Sequence, residues 1–472
     1  MSKWVEQFET YANTWLTEAN VPGAAIAVAQ DGKLVYSGTF GFRDREQQLP
    51  VTLDTVFGIA SVTKSFTCAA IMKLQETGKL SVHDPVSRHL PEFRYFQEEW
   101  SNGITLHHLM TNTSGMPPLP FLSGAMKRSM EQDPIVAGSE EEEELRNVPY
   151  LDTYEELLEA IAAYECPPLA SPGGAFSYCN DGFGLLGAII ERVSGQPYEQ
   201  YLTDHILKPL GMTRTVFHVE QLEDRGNTTT LYKRMKGNGG EQVIAAPFWR
   251  DAPAMRACGF LKSTARDLLA YLELYRTQDE GKENVLSANS IRQMTRPHVR
   301  VDGYRSYGYG LMVSPAFPDG VLIEHSGSLK GVSSHVFALP EKGLTGVVLT
   351  NVDGVTSREL VAGILNIIAG REPDALFYPI VPIELTPGQQ REYVGIYDSD
   401  EWIRLEIESR DGGLFVTADG NTFPLIPVEK DSFVFRRGKS VVWIDFFRSP
   451  EGRVERVSYA LRQLRKTAME PK

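Results

Sequence analysis

Apolar residues at the start of the chain recur three and four positions apart, at Trp4, Val5, Phe8, Tyr11, Trp15 and Leu16. This spacing predicts an amphipathic helix whose apolar face docks on a sheet. The pattern then changes. Residues 24–29 and 33–40, divided by Asp31-Gly32, predict a hairpin, and residues 56–60 predict a strand leading into the apolar run 65–74. From about residue 75 to 265 helical periodicity dominates, with clear segments at 154–163 and 185–193. Strand patterns resume at 307–313, 321–325, 335–339 and 345–351, and a helix is predicted over 357–369. The first and last parts of this unit therefore share one antiparallel sheet flanked by helices, and the helical lobe between them leaves a cleft: an α/β (α+β) architecture.

Two stretches depart from this pattern. Residues 117–150 hold Pro117-Pro118, Met126, Met130 and an acidic run, in a segment longer than most connections. A cover over a neighbouring site and a disordered surface insertion are both open readings. Further on, Pro379, Pro382 and Pro387 mark a linker. Beyond it seven short strands, at 393–397, 404–408, 414–418, 423–428, 433–436, 441–447 and 454–461, predict a small antiparallel β-barrel. The expected organisation is a first domain over 1–372 with its helical lobe at about 75–265, a linker over 373–388, and a barrel domain over 389–472. The barrel is expected to be a packed module that shapes the cleft or forms an oligomer contact, rather than a ligand carrier.

Composition narrows the function. With 472 residues and 42% hydrophobic content the chain is too long for one ordinary core and can bury two or three. A formal charge of −14 argues against a polyanionic partner, so nucleic acid is not expected. The run Glu140 to Glu144 is expected to be a solvated face or loop. The first residues lack the apolar core of a signal peptide and no run of 18 apolar residues occurs, so a cytoplasmic location with no membrane partner is expected. Cys68, Cys166, Cys179 and Cys258 are too few and too scattered for a disulfide framework, which fits a reducing compartment.

Three short motifs carry the chemistry. Ser61-Val62-Thr63-Lys64 is the one Ser-x-x-Lys in the chain; a helix beginning at Ser61 would put the lysine amine beside the serine oxygen. Tyr178-Cys179-Asn180 follows the turn Ser171-Pro172-Gly173-Gly174, and His325-Ser326-Gly327 closes the strand-like run 320–324. Tyr11-Ala12-Asn13 also matches Tyr-x-Asn, but it lies on a helix face that packing explains. In this order the three motifs resemble the serine β-lactamase and penicillin-binding-protein superfamily, in particular its class C-like branch of family VIII-type esterases, D-aminopeptidases and low-molecular-weight penicillin-binding proteins. The segments 104–109, Thr113-Ser114-Gly115-Met116, Pro209-Leu210-Gly211-Met212 and 259–268 resemble that branch as well. Some of its members carry an appended lipocalin-like barrel.

The resemblance implies a β-lactamase/transpeptidase-like fold and a serine hydrolase that forms a covalent acyl-enzyme on ester or amide bonds, D-amino-acid peptides and β-lactams included. Ser61 is the expected nucleophile. Tyr178 is the expected general base and acid with Lys64 as its electrostatic partner; which of the two takes the proton stays open, since they titrate together. Asn180 is expected to hold Lys64 and a substrate carbonyl. The family's oxyanion donors correspond to the backbone N–H groups of Ser61 and Ser328, with Gly327 allowing close approach and His325 and Ser326 at the substrate edge. His325 stands where β-lactamases have lysine. A histidine is only partly charged near neutral pH, so esters or amides without a carboxylate are better expected substrates than β-lactams. Asn112 and Asp267 are expected to be structural.

No cofactor or metal is expected: His-Glu-x-x-His is absent, and so is the Gly-x-Ser-x-Gly of an α/β-hydrolase. The competing reading is a penicillin-binding receptor or scaffold that is acylated without efficient turnover. The expected partners are a small molecule or short peptide and, through the barrel, further copies of the chain.

Overall fold

The structure, a computed structural model, describes residues 3–237, 240–277, 285–401 and 403–467. Its centre is a nine-stranded antiparallel sheet. The strand order is Leu49–Pro50, Lys33–Asp44, Gly23–Gln30, Leu344–Thr350, Val332–Leu339, Gly320–Leu329, Met312–Phe317, Ser306–Tyr307 and Val299–Arg300. Strands from residues 23–50 and from residues 299–350 thus meet side by side, with Ala25 opposite Leu349 and Ile26 opposite Val348.

The sequence Gly-Ala-Ala-Ile-Ala-Val-Ala explains why the strand Gly23–Gln30 lies in the middle. Seven of its eight residues are buried, and alternate side chains serve opposite faces. Ala24, Ile26 and Val28 pack with Phe8 and Trp15 of the helix Lys3–Glu18 and Leu360 of the helix Ser357–Ile368. Ala25 and Ala27 join the core around Phe66, Leu268 and Tyr271 on the other side. Small side chains let helices approach from both directions. A cross-strand pair continues the logic: a Cβ at Gly346 would lie 2.1 Å from the ring of Phe337, its partner in the next strand.

Between residues 75 and 265 helices dominate, among them Tyr154–Ala163 and Asn180–Ser194. This lobe also contains a hairpin, Tyr232–Gly237 with Gly240–Ala245. The strand predicted at 56–60 is reduced to Phe57–Gly58, paired with Lys262–Ser263 away from the main sheet. Tyr11-Ala12-Asn13 lies on the first helix as packing requires: Ala12 is buried, and Asn13 bonds back to the carbonyl of Glu9.

Residues 117–150 carry regular structure where the sequence shows little regular pattern. They form the helices Phe121–Glu131 and Glu140–Leu145. Between these helices the fully buried Asp133 carboxylate meets Arg250 at 2.7 Å and also Lys330. Glu140, Glu142, Glu143 and Glu144 are exposed as expected. Glu141 instead pairs with Lys233 and, at 3.5 Å, with Arg250.

The C-terminal strands close into an eight-stranded barrel in which each strand pairs with the next and Tyr397 of the first faces Lys466 of the last. Seven strands were expected. The stretch 454–461 continues beyond a turn at Ala460-Leu461 into an eighth strand, Arg462–Thr467. Pro387, read as linker, opens the short helix Pro387–Tyr393, capped by Thr386. The barrel interior is filled by side chains, with the rings of Tyr393, Phe433 and Phe446 at centroid separations of 4.7–5.2 Å. That filling supports a packed module over a ligand carrier. No helix among the described residues is long and apolar enough to cross a membrane.

Candidate active site

Ser61 lies two residues before the α-helix that was expected to begin with it. It belongs to a 3₁₀ turn, Ala60–Val62, and the α-helix begins after it as Thr63–Glu76. Ala60 has φ of +43°, a left-handed conformation rarely adopted by a residue with a Cβ. The turn is held from inside: Thr63 Oγ1 donates to the Ala60 carbonyl at 2.7 Å and accepts from the Leu261 amide at 3.2 Å. Strain held by surrounding bonds is common at functional positions.

Lys64 lies on the first turn of this helix with no exposed surface. Its Nζ contacts three oxygens: the Cys258 carbonyl at 2.6 Å, Asn180 Oδ1 at 2.8 Å and Ser61 Oγ at 3.3 Å. Two of these acceptors have no proton to give. Two amine hydrogens are therefore committed, and the third position on nitrogen faces Ser61, where an ammonium donates and a neutral amine accepts. The same nitrogen lies 4.7 Å from the ring centroid of Tyr178. Tyr178 is 4% exposed, and its buried hydroxyl has no hydrogen-bond partner.

The backbone around Tyr178 is held from two directions. Asn112, itself left-handed at φ +55°, accepts the Ser177 amide on its carbonyl and the Cys179 amide on its Oδ1, both at 2.9 Å. The expected structural role of Asn112 is thus specific: it aims the tyrosine. From the barrel, the Leu461 carbonyl accepts the Tyr178 amide at 2.8 Å. Gln463 Nε2 donates to the Phe176 carbonyl at 2.8 Å, and the Gln463 amide donates to Ser177 Oγ at 3.3 Å. The Arg462 guanidinium lies 5.0 Å from the Tyr178 ring centroid and pairs with Glu401 at 2.7 Å.

The strand Gly320–Leu329 runs through the third motif rather than ending before it. Gly327 presses against the turn that carries Ser61: a Cβ there would meet the Ile59 carbonyl at 2.2 Å and Ser334 Oγ at 2.5 Å. Ser326 and Ser328 are exposed on the same strand. His325 departs from expectation. Its Nδ1 lies 2.7 Å from the Ser326 carbonyl, which only accepts, so Nδ1 carries the hydrogen and Nε2 accepts from the Tyr307 hydroxyl at 3.2 Å. Burial, then the charge on Lys64, push its pKa down to about 3. The imidazole is neutral at physiological pH, not partly charged.

Ser61, Lys64, Tyr178, Asn180, His325 and Gly327 are therefore drawn together from three separate segments. Other reactive groups are quiet. Burial raises the thiol of Cys179 and brings that of Cys258 to about 11. Asp267 bonds the Arg214 amide and Thr215 Oγ1 across to a neighbouring segment, consistent with structure rather than chemistry. His107 bonds the Tyr309 hydroxyl at 2.9 Å, and burial with nearby His298 holds it neutral at about 4. Among the described residues no group of three or more His, Cys, Asp or Glu is placed to hold a metal.

The residues missed from sequence, Glu401, Leu461, Arg462 and Gln463, all belong to the barrel. No local signal marks them, because Ala460-Leu461 turns with φ of +48° and +67° yet contains no Gly, Asn or Asp.

Comparison with known proteins gives the family and the fold. Residues 2–369 match the beta-lactamase family. Protein flp of Staphylococcus aureus (strain MW2) is 27% identical over 360 residues, 75% of this chain and 65% of that protein. The chain thus spans less than two thirds of that relative's length. Penicillin-binding protein 4 of Amycolatopsis lactamdurans is 27% identical over 407 residues, 84% of this chain and 97% of its own. Among solved structures, the octameric penicillin-binding protein homologue from Pyrococcus abyssi is 30% identical with a TM-score of 0.70, covering 99% of this chain and 100% of that one, barrel included. EstCE1, a hydrolase with promiscuous acyltransferase activity, shares the fold at a TM-score of 0.62 and 24% identity, over 77% of this chain and 98% of its own. The chain belongs to the beta-lactamase family.

Proposed function

We propose that this protein is a serine hydrolase that cleaves ester or amide bonds through a covalent acyl-enzyme on Ser61. The observation that carries this reading is Lys64 Nζ, set between Ser61 Oγ, Asn180 Oδ1 and the Cys258 carbonyl and facing the ring of Tyr178. A serine hydroxyl is a poor nucleophile until its proton has somewhere to go.

In the first step the Ser61 oxygen attacks the substrate carbonyl carbon while its proton passes to the Tyr178–Lys64 pair. The oxyanion is received by the amides of Ser61 and Ser328. The bond to the leaving oxygen or nitrogen then breaks, and that atom takes the proton back from Tyr178. Water attacks the acyl-enzyme by the same path in reverse and frees Ser61. Asn180 holds Lys64 in line throughout.

The neutral His325 favours substrates without a carboxylate at this position, and so esters or amides over β-lactams. In this reading residues 1–372 carry the chemistry, 373–388 connect, and the barrel of 389–472 completes one wall of the site. The four free cysteines support a reducing, cytoplasmic setting, and the octameric homologue supports assembly of several copies.

The test is time-resolved intact mass with a nitrophenyl ester, a D-alanyl amide and a labelled penicillin, comparing wild type with Ser61→Ala. Turnover with a transient adduct on wild type alone supports the hydrolase. A lasting penicillin adduct without turnover of any substrate favours the receptor, and unchanged hydrolysis in Ser61→Ala removes Ser61 from the chemistry.

A further inference from the structure

Two arginines of the barrel face each other across a strand pair. Arg456 and Arg465 occupy directly opposed positions in the adjacent strands Val454–Tyr459 and Arg462–Thr467. Like charges so placed work against strand pairing, whereas an anion held between them would turn the repulsion into two bonds. Both side chains are half-buried. Burial lowers the pKa of Arg456, with Arg465 adding to the effect and Glu455 opposing it.

Their neighbours do not neutralise them. Arg456 Nη1 donates to Gln463 Oε1 and Arg465 Nη2 to the Pro167 carbonyl, both uncharged oxygens. Among the described residues neither arginine is ion-paired, and nor is Arg453 or Lys466. Carboxylates around them serve other cations: Asp398, opposite Arg465 in the next strand, has Arg404 at 3.9 Å, and Glu392 has Arg448 at 2.7 Å.

Arg453, Arg456, Arg465 and Lys466 line one open groove of about 780 Å³ between the barrel and Pro168-Leu169. Its wall also holds Glu451 and Glu455, both exposed. Four cations thus meet two carboxylates, in a chain whose formal charge is −14. A guanidinium presents a planar fork of N–H donors that matches one edge of an oxyanion. A carboxylate has one such edge and serves one fork, whereas a phosphate directs oxygens several ways and can meet two forks at once. Pro168, Leu169 and Val394 leave apolar wall for whatever a phosphate carries.

We propose that this groove binds a phosphate group, free or as the monoester of a small molecule, between Arg456 and Arg465, with Arg453 and Lys466 adding charge. The site is separate from Ser61 and does not rest on the hydrolase reading.

The test is isothermal titration calorimetry of the full chain with inorganic phosphate, phenyl phosphate and acetate at matched ionic strength. Both phosphates are expected to bind with a Kd of about 1 mM or tighter in low salt and to weaken as salt is added. Acetate is expected to bind at least about tenfold more weakly. Tighter binding of phenyl phosphate than of inorganic phosphate assigns the site to an ester, and equal binding assigns it to the free ion. Arg456→Gln with Arg465→Gln is expected to weaken both phosphates at least about tenfold. Arg453→Gln, on an exposed side chain, is expected to weaken them about threefold with an unchanged Tm, which keeps the test valid if the double variant misfolds. Lys79→Gln, on an exposed lysine outside the groove, is expected to leave binding unchanged. No saturable binding, acetate equal to phosphate, affinity unmoved in the folded arginine variants, or an equal loss in Lys79→Gln overturns the proposal.

Discussion

The amide of Tyr178 donates to the carbonyl of Leu461 across 2.8 Å, joining the tyrosine of the second motif to the tip of a barrel hairpin 283 residues further along the chain. Arg462, the next residue, lies over the same ring and is neutralised by Glu401. Replacing Arg462 by Met leaves Glu401 as an unpaired, largely buried carboxylate, which costs roughly 3–5 kcal/mol. The double change Arg462→Met with Glu401→Gln is expected to recover most of that stability in urea unfolding. It is not expected to recover kcat/KM, because the cation over Tyr178 is still missing. Recovery of both would make the pair purely structural.

Tyr178→Phe separates stability from activity. The Tyr178 hydroxyl is buried without a partner, and an unsatisfied buried hydroxyl costs about 1–3 kcal/mol. Its removal is expected to leave stability unchanged or raise it, while loss of the proton carrier lowers kcat/KM by about 10²–10⁴-fold. Thermal unfolding and steady-state rates on one sample check both. Full activity would end the assignment of Tyr178 as acid and base.

The neutral state of His325 predicts a pH profile. Its folded value of about 3 means that this residue contributes no inflection in kcat/KM between pH 5 and 8. His325→Lys adds a fixed charge and is expected to increase acylation by a labelled penicillin relative to an uncharged ester. An inflection near 6.5 that disappears in His325→Gln would show the imidazole to be titrating normally.

His107 gives a stability test with a defined sign. Its folded value is about 4 against 6.5 for the free side chain, so between those values the unfolded chain binds the proton and the folded protein does not. Its contribution is complete above pH 6.5 and is lost as pH falls towards 4, with a slope of about 1.4 kcal/mol per pH unit inside that window. Urea unfolding from pH 7 to 4.5 is expected to be less steeply pH-dependent in His107→Asn than in wild type. Identical slopes would contradict burial of a neutral imidazole.

The segment 117–150 is anchored by Asp133, which sits between Arg250 and Lys330, two positions beyond Ser328. Asp133→Asn leaves the buried Lys330 without its carboxylate and Arg250 with Glu141 alone, and the expected outcome is faster proteolysis within 117–150 together with altered substrate preference. Faster proteolysis with an unchanged preference would show that this segment does not shape the site.

Much of this arrangement is legible in local pattern. The alternation at residues 24–29 reports a strand packed on both faces, and the period of 154–163 reports a helix, because each is a consequence of which side chains must leave water. The three motifs are legible for another reason: acyl transfer needs a nucleophile, a proton carrier and an oxyanion site, and few residue types supply them.

Other features are invisible in the linear chain. Ser61 lies on a 3₁₀ turn rather than a helix because Thr63 and Leu261 hold Ala60 in a left-handed conformation, and Leu261 is 200 positions away from Ser61. The charge of His325 depends on burial beside Lys64 and on one carbonyl that fixes its tautomer.

The eighth barrel strand was hidden because its turn, Ala460-Leu461, has none of the residues that usually permit positive φ. The backbone accepts that conformation where the Leu461 carbonyl meets the Tyr178 amide and Gln463 bonds Phe176 and Ser177. Sequence alone determined most of the elements, the fold class and the candidate reactive residues, since these follow from hydrophobic period and side-chain chemistry. Only the tertiary structure decided which barrel residues complete the site and which of its groups are charged, because both depend on contacts between segments hundreds of residues apart.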